Sequence, residues 1–492
     1  MVDKCIPHDP QIDGILRKFN LEDDKLKSVT KRMGDMMERG LSDDPKTVSN
    51  SSLKMLPSFV CALPDGSEKG DHMALDLGGT HFRVLVVKLE GGGRQSQEGK
   101  KFKVPAAIMT GSAEKLFEYL AECVGGFLEE RKLEGKKLPL GFTFSFPARQ
   151  EGLRVAHLIT WTKGYKVSGV EGQDVAKLLQ EAIHRRTGGD VNVVAVVNDT
   201  VGTLMSSAHE DPMCQIGVIL GTGTNACYME AIEQCPKMQQ YLRDRGFDKM
   251  IINMEWGGFG DLGELEDIRT EFDIGVDKAS INPGRQIFEK MISGMYIGEL
   301  VRLILLKLMQ EQIIFSTEQW SQLNSQNGFP GRSVGDIVRV TSVDASSAES
   351  ISAIHDILKK LGAPEPSSTD SANVAFVCIS VIKRSAELCA AGIAAILNRL
   401  KQPKVTIGID GAVYRYNQPH FDQFLKDRLA VLIEVPCEFT LKLSTDGSGR
   451  GAALVAAVAS RLSKQVSETK SSAEAKEVKP AKQEADKMCV MA

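Results

Sequence analysis

No C-x-x-C pair occurs in this chain of 492 residues, although it holds ten cysteines, several of them inside apolar runs such as Phe376-Val377-Cys378-Ile379. That scatter speaks against a disulfide framework or a zinc site and suits thiols kept reduced inside a cell. Long apolar runs are also missing. None reaches the roughly eighteen residues of a membrane span, and the start, MVDKCIPHDPQIDG, has no apolar core of signal-peptide length. A cytosolic protein is the expectation. No sign of charge prevails, since 60 Lys+Arg against 64 Asp+Glu leave −4. Nucleic acid, which calls for a strong basic excess, is therefore not an expected partner. Two nucleotide signatures are absent too: there is no G-x-x-x-x-G-K-[ST], and no protein-kinase glycine loop with its H-R-D partner.

The apolar and charged fractions, 42% and 25%, are those of a globular protein. The length allows about two to four lobes at roughly 100–200 residues each. The most informative stretch is 191–230, VNVVAVVNDTVGTLMSSAHEDPMCQIGVILGTGTNACYME. Its run 193–197 is β-branched and apolar on both faces, which reads as a buried strand. The strand delivers Asn198, Asp199 and Thr200 to the edge of a sheet. An Asp at such a strand end is well placed to accept a proton from a bound hydroxyl; it could equally cap the helix that follows. A second strand then breaks into Gly221-Thr222-Gly223-Thr224-Asn225, a turn whose amides and hydroxyls suit a phosphate.

The same arrangement occurs earlier, in MALDLGGTHFRVLVVK at 73–88. Here Asp76 precedes Gly78-Gly79-Thr80, and Arg83 follows on the outgoing strand. Glycines permit a close approach of backbone to phosphate, and the acid beside them could hold a hydrated metal ion; a plain hairpin turn is the rival. Residues 10–40 have helical spacing that stops at Gly40. Helices are expected at 112–130 and 171–186, and a strand over 138–147 that brings up Ser145. Trp161-Thr162-Lys163-Gly164-Tyr165 sets a hydroxyl and a cation beside aromatics, a chemistry that suits sugars, with an incidental surface Trp as the alternative. Asn253-Met254-Glu255-Trp256-Gly257-Gly258 is another strand ending in a carboxylate and glycines. One long amphipathic helix is expected over 283–311, with Glu289 near its start, and further helices at 350–361 and 371–400. A strand at 405–409 then ends in Asp410-Gly411, and 446–451, DGSGRG, reads as a helix entry favouring anionic ligands. Residues 465–492 lack aromatics and mix five lysines with five acids, so a disordered tail is expected. It ends Cys489-Val490-Met491-Ala492, which fits the C-a-a-X prenylation pattern without the polybasic signal of a firm anchor.

In order, LDLGGTHFRV, LGFTFSFP, ITWTKGYK, VVNDTVGT, GTGTNACYMEAIE, INMEWGGFGD, NPGRQIFEKMISGMYIGELVRL, GIDGAVYR and DGSGRGAAL resemble the successive motifs of the animal hexokinase and glucokinase family, over about 15–462. The resemblance implies an α/β fold of the actin-like ATPase (ribonuclease H-like) type, two lobes about a central cleft. It divides the chain into an N-terminal helical segment (10–64) packed on the large lobe, a small lobe (65–203 with 450–463), a large lobe (204–449) and the tail. It implies a monomer that moves the γ-phosphoryl of Mg-ATP to the 6-hydroxyl of glucose or a related hexose, the first step of glycolysis. The hexose is placed among Ser145, Thr162, Lys163, Asn198, Asp199, Asn225, Glu255 and Glu289, with Asp199 as base and Lys163 beside the transferring group. ATP is given Asp76, Gly78, Gly79, Thr80 and Arg83, then Gly221, Thr222, Gly223 and Thr224, with Gly411, Ser448 and Gly449 toward the nucleoside. No direct metal ligand is implied; Asp76 reaches Mg2+ through water.

Four places depart from the family pattern. His81 stands where Asn is usual, Ala412 replaces a Ser or Thr, 328–335 around Gly331 lacks a Thr near the nucleotide, and the loop before Met250 lacks Gly-Asp-x-Gly. These bear on ATP affinity rather than on the sugar, since a lost hydroxyl is worth about 0.5–1.5 kcal/mol. The alternatives are a weakened, sugar-binding homologue with a regulatory role, or a cytoskeletal or chaperone ATPase of the same fold.

Overall fold

A computed structural model describes residue 6 and residues 8–78, 81–161, 164–315, 320–344, 346–444 and 446–463. They fall into two compact units, one drawn from Met1–Pro57 and Met213–Gly447, the other from Ser58–Pro212 and Ser448–Ala492. The helix Asp199–Glu210 lies whole in the second unit.

In the second unit, β1 (Lys69–Leu77) turns back into β2 (His81–Gly91) and then β3 (Arg94–Lys103); β4 (Leu138–Phe144) and β5 (Val191–Val197) follow. The sheet order is β3-β2-β1-β4-β5. The first three strands are antiparallel, whereas β4 runs parallel to β1 and β5 parallel to β4. The helices Ala113–Arg131 and Val175–Thr187 bury Leu120, Phe127 and Leu179 in the core of this unit with Phe142 of β4.

The run 193–197 is a strand buried at four of its five residues, as expected, and because it lies at the edge of its sheet, side chains close its open side. Gln180 accepts from the Val193 amide at 2.6 Å and donates to the Val191 carbonyl at 3.1 Å, and Gln150 donates to the Val196 carbonyl at 2.7 Å. Covering an edge in this way satisfies its backbone and prevents further pairing.

The first unit repeats the pattern strand for strand. β6 (Cys214–Leu220), β7 (Thr224–Ala231) and β8 (Lys249–Asn253) are antiparallel, and β9 (Lys404–Asp410) and β10 (Glu438–Leu443) run parallel on the other side of β6. The order β8-β7-β6-β9-β10 matches that of the second unit, with Leu56–Pro57 added at the β8 edge. Its core is organised on the 33-residue helix Ser368–Leu400, which starts at a Ser367–Asp370 capping box. Within it Arg384, fully buried, pairs with Asp273 at 2.6 and 2.8 Å under the ring of Phe19. Among the described residues no helix is long and apolar enough to cross a membrane.

The helix expected over 283–311 is two, Ile287–Ile292 and Gly294–Gln310, with Ser293 extended between them. The break has a backbone cause. The amides of Gly294 and Met295 donate out of the helix to the carbonyls of Gly221 and Thr222, at 2.9 and 3.1 Å. A Cβ on Gly294 would stand 2.8 Å from that Gly221 oxygen. Helical spacing carries no sign of an acceptor seventy residues away in sequence.

Candidate functional site

Because β1, β4 and β5 are parallel neighbours, their carboxyl ends fall on one edge of the second unit's sheet. Asp76 lies there opposite Thr143, Ser145 follows β4, and Asn198-Asp199 follow β5. Asp76 Oδ2 accepts from the Ser448 hydroxyl at 2.9 Å and lies 4.0 Å from Arg83 Nη1. Thr143 Oγ1 in turn donates to the Ser448 carbonyl at 2.8 Å. Two glycines allow the helix over 447–463 to come so close. A Cβ on Gly141 would meet the Ala452 oxygen at 2.0 Å, and one on Gly451 the Gly202 oxygen at 1.9 Å.

The two readings of Asp199 are separated by its neighbour. Asn198 is the N-cap, its Oδ1 accepting from Thr200 N at 3.0 Å and Thr200 Oγ1 at 2.8 Å. Asp199 is the first residue inside the helix, half-buried, with no cap to make. A carboxylate there also gains from the positive end of the helix dipole. Gly79, Thr80, Thr162, Lys163 and the tail with Cys489 lie outside the described residues. The aromatics beside Thr162 and Lys163 pack on the protein core. Trp161 packs on Phe146 and Tyr165 with centroids 4.9 and 5.3 Å apart, and its indole N–H donates to the Val167 carbonyl at 2.9 Å.

In the first unit the turn 221–223 joins β6 to β7, and its donors divide into two groups. Gly221 N donates to Gly223 O at 2.9 Å and Thr224 N to Glu289 Oε2 at 3.0 Å. The Thr224 hydroxyl donates to the Ile219 carbonyl and accepts from the Trp256 indole, both at 2.9 Å. Both donors of Thr224 thus have partners within the fold. Among the described residues the amides of Thr222, exposed, and Gly223, half-buried, are the ones in this turn with no internal acceptor. Two successive free amides form a small anion-binding concavity. Gly411 sits beside Gly221 at the end of β9, with φ +122° and its Cβ position 2.2 Å from the Leu220 oxygen, so no other residue fits. Ser448 and Gly449 begin the helix over 447–463, and Ala412 begins the short one after Gly411.

Beside the turn, Asn225, Asn253 and Glu255 form a ring. Asn225 Nδ2 donates to Asn253 Oδ1 at 2.8 Å and to Glu255 Oε1 at 3.2 Å, and Asn253 Nδ2 donates to the same Oε1 at 2.8 Å. Glu255 holds a left-handed backbone, φ 54° and ψ 47°, which a non-glycine residue adopts at a cost. Glu289 opens out from the short helix Ile287–Ile292, whose first amide is held by Asp261 Oδ1 at 3.0 Å. Burial raises the Asp261 carboxyl above its ordinary range, against that amide and the nearby cations. Asn253 was not among the residues expected from sequence; only its place in INMEWGGFGD marks it.

Carboxylates and amides gathered beside a phosphate-sized turn can order a polyhydroxylated ligand next to an anion. Two family models, both described as hexokinase, match residues 11–209 and 215–458. The chain is 46% identical over 463 residues to Hexokinase-1 of Mus musculus and 45% over 455 residues to Hexokinase-2 of Homo sapiens. It is covered to 92% and 91% in these pairs but spans only 46% and 48% of the relatives, about half their length. Among solved structures, a hexokinase from Schistosoma mansoni complexed with glucose superposes with a TM-score of 0.82 at 42% identity, covering 91% of this chain and 98% of that one. A second hexokinase gives 0.79 at 32%, with the same coverage. The expected α/β fold of the actin-like ATPase type is thereby established, and the chain belongs to the hexokinase family.

Proposed function

We propose that this chain phosphorylates the 6-hydroxyl of glucose and related hexoses with ATP. The observation that carries the reading is the near full-length likeness to the Schistosoma hexokinase, a protein solved with glucose. The residues fit the chemistry. A sugar hydroxyl is a poor nucleophile; Asp199, free of the capping role, takes its proton, a contribution of about 10²–10⁴ in rate. By resemblance, Ser145, Thr162, Lys163, Asn198, Asn225, Glu255 and Glu289 serve the sugar hydroxyls. Lys163 also balances charge on the transferring phosphoryl, where most of the catalysis of such reactions lies.

The amides of Thr222 and Gly223 serve the phosphates; the roles of the 78–80 turn and Arg83 at the phosphates, and of Gly411, Ser448 and Gly449 toward the nucleoside, rest on the resemblance. Among the described residues no group of three or more His, Cys, Asp or Glu could hold a metal by itself. An ion brought in on the nucleotide would offset phosphate charge, and Asp76 with Ser448 would meet it through water. Excluding water from the sugar removes the rival nucleophile.

A coupled assay of ADP release tests the reading. Release that requires glucose supports it. ADP released without sugar points to an ATPase, and glucose binding without ADP to a regulatory homologue; either result overturns it.

A further inference from the structure

Asn253 ends β8, opposite Cys227 of β7, and is 6% exposed. Its amide sits between two groups that need opposite things from it. Asn225 presents an N–H to its oxygen and Glu255 an oxygen to its NH2 group, each at 2.8 Å. Turning the amide over would set N–H against N–H and oxygen against carboxylate, so only one orientation satisfies the ring. Glu255 Oε1 then receives two N–H donors, from Asn225 and Asn253. Among the described residues Oε2 receives none.

We propose that Asn253 is a positioning residue for the sugar: its amide turns one oxygen of Glu255 to the protein and leaves the other for a sugar hydroxyl. The inference rests on the hexose reading above. Asn253 acts through Glu255, whose Oε1 it holds. It also aligns the Asn225 amide, so one substitution disturbs two sugar-facing groups together. The specificity that follows is for a ligand that donates to Glu255, since a ligand lacking that hydroxyl leaves Oε2 buried without a partner.

Glucose titrated calorimetrically into the full chain, for wild type, Asn253→Ala and Asn253→Asp at pH 6 and pH 8, tests this. Asn253→Ala is expected to raise the glucose Kd about 10- to 100-fold, the range of a lost hydrogen bond to a charged group. Asn253→Asp keeps the shape but sets two carboxyls 2.8 Å apart, so one of them takes up a proton well above the usual carboxylate range as pH falls. With one proton between them the introduced carboxyl donates to Glu255 as the amide did, so its glucose Kd should fall toward wild type from pH 8 to pH 6. Cys227 opposite Asn253, and Glu289, whose Cβ lies beside Gly257, also titrate on the elements packed there; the wild-type titration at the same two pH values subtracts them. Should Asn253→Ala fail to fold, the isosteric Asp variant carries the test. Wild-type Kd in both variants, or a pH-independent Asp variant, overturns the proposal. No glucose binding by the wild type would instead refute the hexose reading beneath it.

Discussion

Gly223→Ala probes how the phosphate turn and the acid Glu289 are joined. A Cβ on Gly223 would stand 2.6 Å from Glu289 Oε2 and 3.4 Å from its Cδ. Carbon and oxygen sit comfortably at about 3.3 Å, so the carboxylate must retreat by roughly 0.7 Å. That stretches its 3.0 Å bond from Thr224 N to about 3.7 Å, beyond hydrogen-bond range. Losing a bond to a charged group costs about 1.5–3 kcal/mol. Gly223 is not among the positive-φ glycines, so the methyl adds no backbone strain and returns about 0.4–1 kcal/mol by restricting the unfolded chain. The net expectation is a loss of about 1–2 kcal/mol in urea unfolding. In a Glu289→Ala background the colliding oxygen is gone, and the same Gly223→Ala change should become neutral or stabilising by up to about 1 kcal/mol. A change of sign between backgrounds is hard to obtain otherwise. Additive effects, with the same loss in both, would refute the reasoning.

Three further outcomes are expected. Asp199→Ala should keep the glucose Kd, measured calorimetrically, while turnover in the coupled assay falls by about 10²–10⁴; retained turnover removes Asp199 as base. Gly451→Ala drives a methyl to 1.9 Å from the backbone oxygen of Gly202, which cannot move as a side chain can, so a cost of about 3 kcal/mol or more is expected, read as a fall in Tm or loss of soluble protein. Lys237 is half-buried, donating to the carbonyls of Gly40 (2.7 Å) and Met55. Burial pulls its pKa from 10.5 down to about 8. Between those two values the unfolded chain holds the proton and the folded one does not, so stability from this group rises with pH across that window and is least below it. Lys237→Met should flatten that rise in unfolding curves taken at pH 7.5 and pH 10, and an unchanged slope would count against the shift.

Much of the secondary structure was legible because its signals are local. Residues 112–130 and 371–400 show helical spacing and form Ala113–Arg131 and Ser368–Leu400; the latter has its capping box just upstream. The motif at 73–88 was read as two strands about a glycine turn, and β1 and β2 are those strands. What sequence did not show depends on partners far along the chain. The break at Ser293 is made by carbonyls at 221 and 222. The bonds of the Thr224 hydroxyl to Ile219 and Trp256 are not legible in its glycine turn. The packing of Trp161 on Phe146 and Tyr165 is likewise not legible in its local sequence. In each case residue type states what a side chain can do, and only packing decides which neighbour uses that capacity.

The shared strand order gives the residue scatter a cause. In each unit the first strand, β1 or β6, is flanked by its hairpin partner on one side and by a parallel strand on the other. Its carboxyl end is thus where a tight turn meets the end of a parallel strand, so turn amides and strand-end side chains collect there from distant positions. In the second unit that meeting brings Asp76 level with Thr143, one turn of chain from Ser145. In the first it brings Gly411 against Leu220 and Gly221, with the Gly411 Cβ position already filled by backbone. A side chain at Gly411 would therefore push β9 off β6 before it met any ligand, and for that reason glycine at this position follows from the sheet itself, whatever nucleotide the turn receives.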